Sequence, residues 1–154
     1  PVGFTASLAN RLDGLCQINV KEVEDGEVLK AGTAYVGVAG KQFSLTRKGS
    51  LLAARVSDES LIATFYRPSV DIMFMSLAEQ VGAGVLAVVM TGMGSDGLLG
   101  TKKLKAKGAF AIAESEQTCI VYGMPKSIVE AGLADRVETL PNIAKVIMEC
   151  VERR

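Results

Sequence analysis

The sequence predicts an α/β fold: a doubly wound parallel sheet of the Rossmann-like three-layer kind, with an appended antiparallel β-hairpin. Three observations carry this. Residues 85–90 read Val-Leu-Ala-Val-Val-Met, an apolar run too short for a helix and rich in Val, as expected of a parallel strand buried on both faces. That run leads directly into a glycine-dense turn, residues 91–97, and then into a helical pattern that reaches residue 108. Open α/β sheets place their chemistry at such a strand–turn–helix junction, at the carboxyl end of a strand. From residue 69 onward, finally, helical and strand patterns alternate, and right-handed crossovers turn that order into a parallel sheet.

The elements follow in order. Phe4, Leu8, Leu12 and Leu15 recur at helical spacing opposite Arg11 and Asp13, so a helix is expected over residues 5–13, ended by Gly14. Residues 16–23 alternate as a strand does, and Glu24-Asp25-Gly26 is a turn. Residues 33–38, 42–46 and 51–56 are short β-like runs at meander spacing, which predicts the appended hairpin. Pro68 disfavours helix at Arg67, and Ser69 is a good N-cap for a helix whose buried face holds Ile72, Met73, Leu77 and Val81. After the glycine turn come a helix, a strand at 109–113, a long loop at 114–125 and a short helix at 127–131 closed by Gly132. A last strand at 135–140 leads to a helix with Pro141 in its first turn and Ile143, Val146, Ile147 and Val151 as its apolar stripe.

Composition limits the function. The 154 residues make about one domain, and nearly half of them are apolar, enough for a core without staples. Basic and acidic residues balance at 17 each, so nothing points to nucleic acid. No apolar run approaches the roughly 20 residues of a membrane span, and the first residues lack a signal-peptide pattern. Cys16, Cys119 and Cys150 have no metal spacing and read as reduced, partly buried thiols of a cytoplasmic protein. No histidine occurs, which excludes His-ligated zinc and any Ser-His or Cys-His catalysis carried by these residues alone. No metal or cofactor is expected.

The glycine turn supports more than one reading. Gly92-x-Gly94-x-x-Gly97 matches the dinucleotide fingerprint, and Glu114 ends the next strand where such folds place a ribose-binding carboxylate. Against this, Asp96 puts a negative charge in the turn that would cradle pyrophosphate. A plainer role for Asp96 is to cap the first turn of the helix that follows, worth about 1 kcal/mol. The glycines then serve tight turning and close packing.

Three separated segments carry a family resemblance: Met90-Thr-Gly-Met-Gly-Ser-Asp-Gly97, Arg67-Pro-Ser-Val-Asp71 and Cys119-Ile-Val-Tyr-Gly-Met-Pro125. Together with Pro1-Val-Gly-Phe-Thr5 and Glu24-Asp-Gly26, they resemble the catalytic domain of the chemotaxis protein-glutamate methylesterase (CheB) family along nearly the whole chain. The resemblance implies hydrolysis of γ-glutamyl methyl esters on the cytoplasmic helices of chemoreceptors, with release of methanol. Deamidation of receptor glutamines is implied for many members. It also implies a Ser-His-Asp triad whose Asp maps onto Asp96, an oxyanion donor at the Met93 backbone N–H, and a regulatory receiver domain N-terminal to this one. Such a carboxylate fixes the tautomer of the base and stabilises imidazolium.

The resemblance breaks at one point. The family's nucleophilic Ser and its His correspond to positions upstream of Pro1, so residues 1–154 read as an N-terminally truncated catalytic domain that keeps only the Asp. The chain alone is then expected to lack esterase activity. The family's first strands lie between those at residues 16–23 and 85–90, so the isolated piece is expected to expose strand edges, be weakly stable and aggregate. A nucleotide-binding domain and a non-catalytic receptor-docking remnant are the alternatives.

Around Asp96, the candidate substrate-side residues are Arg67, Thr91, Gly92, Tyr122 and Met124. Arg67 reads equally as a surface residue and as a partner for acidic receptor segments, whereas packing is the plainer reading of Tyr122 and Met124, and capping fully explains Ser69. Gln42 stands where many family members have His, and a solvated strand face is its plain reading. Lys102, Lys103, Lys105 and Lys107 read as the solvated face of a helix, and Cys119 as structural.

Overall fold

The computed structural model describes residues 2–152. Helix α1 (Phe4–Asp13) leads to strand β1 (Asn19–Glu22), which pairs in parallel with β2 (Thr33–Val36). Strands β3 (Gln42–Lys48) and β4 (Leu51–Ser57) form an antiparallel hairpin. Helix α2 (Val70–Gln80) and a 3-10 turn (Gly82–Gly84) precede β5 (Leu86–Val89). Helix α3 (Leu98–Ala106), β6 (Phe110–Glu114), α4 (Met124–Glu130), β7 (Arg136–Glu138) and α5 (Leu140–Glu152) complete the chain. Strands β5, β6 and β7 form a parallel sheet in that order. The α/β fold with parallel strands and an appended hairpin is thus as predicted.

The hairpin closes through the two-residue loop Gly49-Ser50, with Lys48 opposite Leu51. Gly49 has φ +62°, the left-handed conformation that a two-residue loop of the II′ kind needs at its first position. The expected three-run meander is not what forms. The run at 33–38 joins β1 in parallel, and the third position on the hairpin goes to residues 26–29 of the β1–β2 connection. There the Gly26 and Leu29 N–H groups donate to the Ala54 and Leu52 carbonyls, and the Ala54 N–H donates to Glu27 O. A crossover between parallel neighbours has to travel back along the sheet. Here it does so with its backbone satisfied by the edge of β4.

Two apolar clusters meet at α2. The larger joins Phe74 and Ala78 of α2 to Val85, Ala87 and Val89 by β5, Leu104 of α3, Ala111 and Ala113 of β6, and Ile128 of α4. The smaller holds Val23, Phe43, Leu45 and Ala54 under the hairpin. Met73 and Leu77 pack against both. The Ser76 hydroxyl accepts the Leu45 N–H at 2.9 Å, pinning α2 to β3. Helix α2 is therefore the piece that the hairpin and the parallel sheet share.

Strand β5 differs from expectation. Ala87 and Val89 are buried but Leu86 and Val88 only half-buried, so one face is covered and the other is not. Helices α2 and α3 cover the first face, and among the described residues β5 has only β6 as a neighbour. Strand β6, with neighbours on both sides, carries the continuous burial predicted for its partner. Helix α4 begins three residues earlier than expected, with Pro125 in its first turn, which shortens the preceding loop. No helix of the described residues is long and apolar enough to cross a membrane.

Helices α2 and α3 touch at Gly100. A Cβ there would fall 2.5 Å from Phe74 Cβ and 3.0 Å from the Asp71 carbonyl oxygen. Gly100→Ala would gain about 1 kcal/mol of helix propensity but meets that contact, and overpacking of this kind costs about 1–3 kcal/mol. The expected result is net destabilisation in a denaturant titration. A higher midpoint for the variant would contradict the close approach.

Candidate active site

At the carboxyl end of β5 the glycine turn is held from two sides. Its first residues lie against the segment ahead of α4. The Gly92 N–H donates to Val121 O at 3.0 Å, and the Met124 N–H donates to Gly92 O at 2.8 Å. The Thr91 hydroxyl accepts the Val121 N–H at 2.9 Å and donates to Val121 O at 3.2 Å. A Cβ on Gly123 would lie 2.7 Å from Gly92 O, and one on Gly92 would run into the Met124 sulfur. These two glycines are therefore needed for backbone approach. Glu114, 1% exposed, closes the arrangement from β6: its carboxylate accepts the Thr91 N–H at 2.8 Å and the Thr118 hydroxyl at 2.9 Å.

The far end of the turn carries Asp96, 8% exposed. Its Oδ1 accepts the Ser69 hydroxyl at 2.8 Å and the Asp71 N–H at 3.1 Å, and its Oδ2 accepts the Val70 N–H at 2.7 Å. These donors are the N-cap residue and the first two residues of α2. Asp96 does cap a helix, as its residue type suggests, but the helix is α2 rather than α3, which follows it in sequence. Ser69 correspondingly makes no side-chain cap of its own, because its hydroxyl is turned to Asp96.

Helix α3 receives its cap from the opposite direction. Asp71, in the first turn of α2, accepts the Gly100 N–H at 2.7 Å. Each helix N-terminus is thus served by a carboxylate from the neighbourhood of the other. Burial pushes the Asp71 carboxyl above the usual carboxylate range; the Gly100 N–H opposes the shift and the nearby Asp96 carboxylate adds to it. The dinucleotide reading fails on this arrangement. The helix end that would receive pyrophosphate already holds one carboxylate and faces a second. Glu114, the expected ribose ligand, is consumed inside the fold.

The remaining candidates divide. Met93 is 77% exposed, and its N–H has no hydrogen-bond partner among the described residues. Tyr122 is half-buried where its segment bridges to Gly92. Met124 packs into the main core and against Gly92, so its contacts in this chain are those of a packing residue. Arg67 is exposed, and its guanidinium donates to Asp58 O at 2.9 Å. Gln42 is not a solvated residue: it is 2% exposed and hydrogen-bonded on both sides of its amide. Among the lysines, Lys102, Lys103 and Lys107 are exposed, but Lys105 pairs with Asp135 at 2.6 Å and so ties α3 to the start of β7. Burial and the neighbouring Glu114 charge push the Cys119 thiol up, the opposite of an activated nucleophile.

The family model for CheB methylesterase matches residues 1–147. The chain belongs to the CheB methylesterase family. A protein-glutamate methylesterase/protein-glutamine glutaminase of Desulfitobacterium hafniense is 57% identical over all of this chain, which spans 39% of that protein. One from Geobacillus kaustophilus is 49% identical, with 98% of this chain and 43% of that protein covered. The crystal structure of the Thermotoga maritima CheB methylesterase catalytic domain superposes with a TM-score of 0.92 at 39% identity, covering 97% of this chain and 79% of that one. The chain thus spans about two-fifths of the length of the curated relatives it matches.

Sequence reasoning singled out Asp96 and the turn but not the anchoring contacts that Gln42, Asp71 and Glu114 make around them. Asp71 had a usable signal, an acidic residue two positions after an N-cap. The other two had none, because their burial depends on elements distant in sequence. The raised Asp71 carboxyl gives a pH test. A carboxyl whose pKa rises on folding contributes its stability below the ordinary carboxylate pKa and loses it as pH rises through the folded value. Asp71→Asn keeps an oxygen for Gly100 and removes the charge beside Asp96. Its Tm relative to the parent should be more favourable at about pH 7 than at about pH 4. An equal or reversed difference would contradict the assignment.

Proposed function

We propose that this chain is the Asp-bearing part of a protein-glutamate methylesterase catalytic domain, acting on methylated glutamates of chemoreceptor cytoplasmic helices. The observation that carries the proposal is the bonding of Asp96. A carboxylate offers about four acceptor directions. Three are taken, two on Oδ1 and one on Oδ2, which anchors the group and leaves one direction on Oδ2. A carboxylate fixed in this way at a strand's carboxyl end suits the third member of a Ser-His-Asp triad, which orients an imidazole by accepting its N–H.

The chain holds no histidine, so in this reading the base comes from residues outside it, and the family resemblance implies the same of the nucleophilic serine. In this reading the serine oxygen attacks the ester carbonyl while the histidine takes its proton. The histidine then returns that proton to the leaving methoxide, and methanol departs. Water repeats the sequence on the acyl-enzyme and releases glutamate. The Met93 N–H, without a hydrogen-bond partner among the described residues, faces the developing oxyanion, a role worth roughly 3–4 kcal/mol. Thr91, Gly92 and Tyr122 form the adjoining wall, and Arg67 meets acidic receptor segments at the rim. The same steps on a side-chain amide release ammonia, which fits the glutaminase activity in the relatives' names.

Residues 1–154 are then a partial catalytic domain, inactive alone, that works in the cytoplasm where receptor helices are modified, behind a regulatory receiver domain. The relatives' greater length supports that placement. In the full-length protein, Asp96→Asn should lower the rate of methanol release by about 10⁴-fold while the protein stays folded. Unchanged turnover would remove Asp96 from the mechanism.

A further inference from the structure

We infer that Gln42 is a positioning residue for Asp96, acting through Ser69 and the segment 66–69; the inference rests on the triad reading of Asp96. Gln42 opens β3, 27 residues from Ser69 in sequence, yet its amide is bound at both ends to one short loop. Its Oε1 accepts the Ser69 N–H at 2.9 Å, and its Nε2 donates to Tyr66 O at 2.9 Å and to Ser60 Oγ at 3.0 Å. Only one amide orientation fits, since the reverse would set an oxygen against the Tyr66 carbonyl and an NH₂ against an N–H.

The clamped loop touches the glycine turn in two places. Ser69, 1% exposed, donates a hydrogen bond from its hydroxyl to Asp96 Oδ1. The Tyr66 hydroxyl lies over Gly94, where a Cβ would come within 2.7 Å of it. Gln42 therefore sets the position of the donor that fixes Asp96 and of the ring that covers the turn. Two hydrogen bonds in series, Gln42 to Ser69 and Ser69 to Asp96, connect the hairpin to the carboxylate. The hairpin thereby gains a part in aligning the triad.

The test uses the full-length protein and a double-mutant cycle of Gln42→Leu and Ser69→Ala, with Asp96→Asn as reference, read as kcat and KM for methanol release. Displacing a catalytic group by about 1 Å costs about 10²-fold. Each single variant is expected to lower kcat by about ten- to a hundred-fold at unchanged KM, with the double variant no slower than the slower single one. The acidic limb of the pH–rate profile should move to lower pH, because a misaligned carboxylate holds imidazolium less well. Purely structural damage would instead multiply across the cycle and leave the profile in place, which overturns the inference. So does full kcat in Gln42→Leu when Asp96→Asn is inactive. If Asp96→Asn itself turns over normally, the triad reading fails first and this inference falls with it. Should Gln42→Leu not fold, Gln42→Glu replaces it: it keeps the acceptor for Ser69 but sets a carboxylate against Tyr66 O, and wild-type kcat there would count against the clamp.

Discussion

Two carboxylates change places between two helices. Asp96 precedes α3 and caps α2; Asp71 lies in the first turn of α2 and caps α3. Each satisfies N–H groups that an α-helix cannot satisfy for itself, and each meets the positive end of a dipole. A single cap of this kind is worth about 1 kcal/mol, with up to about 2 kcal/mol from the dipole in partly buried geometry. Mutual repulsion and burial work against these gains, and Asp71 registers the conflict in its raised pKa. The exchange holds because α2 and α3 approach closely at Gly100, where no side chain intervenes.

The rest of the site hangs on this exchange. Helix α2 binds the hairpin on one side and the parallel sheet on the other, so fixing its N-terminus also fixes where the 66–69 loop meets the glycine turn. The turn's other half is fastened independently by Glu114 and by the crossing of Gly92 and Gly123. Between the two fastenings, Met93 is left exposed, its N–H without a hydrogen-bond partner among the described residues. The Asp96 carboxylate and the Met93 N–H are thus held through separate supports.

Local pattern made much of this legible. The Val-rich run, the glycine turn, the alternation after residue 69 and the position of Asp96 are all properties of short windows, and they survive in the structure. Pairing was harder to read. The run at 33–38 has hairpin spacing, but its partner was decided by β1, and the β1–β2 connection took the hairpin edge instead. Ser69 and Asp96 were both recognisable as capping residues, yet the Ser69 hydroxyl caps no helix and Asp96 serves α2 rather than α3, because capping here crosses between elements 25 to 27 residues apart. Gln42 looked like surface since nothing adjacent to it announces burial; its partners lie at residues 60, 66 and 69.

Side-chain carboxylates occupy the N-termini of both α2 and α3, and amide hydrogen exchange reads this out residue by residue. The first N–H groups of a helix ordinarily lack intrahelical partners and exchange freely. Here the Val70, Asp71 and Gly100 amides should exchange slowly in the native protein, and Asp96→Ala should release Val70 and Asp71 while leaving Leu104 in mid-α3 protected. Rapid exchange at Val70 and Asp71 in the parent protein, at the rate of an open helix end, would contradict the account.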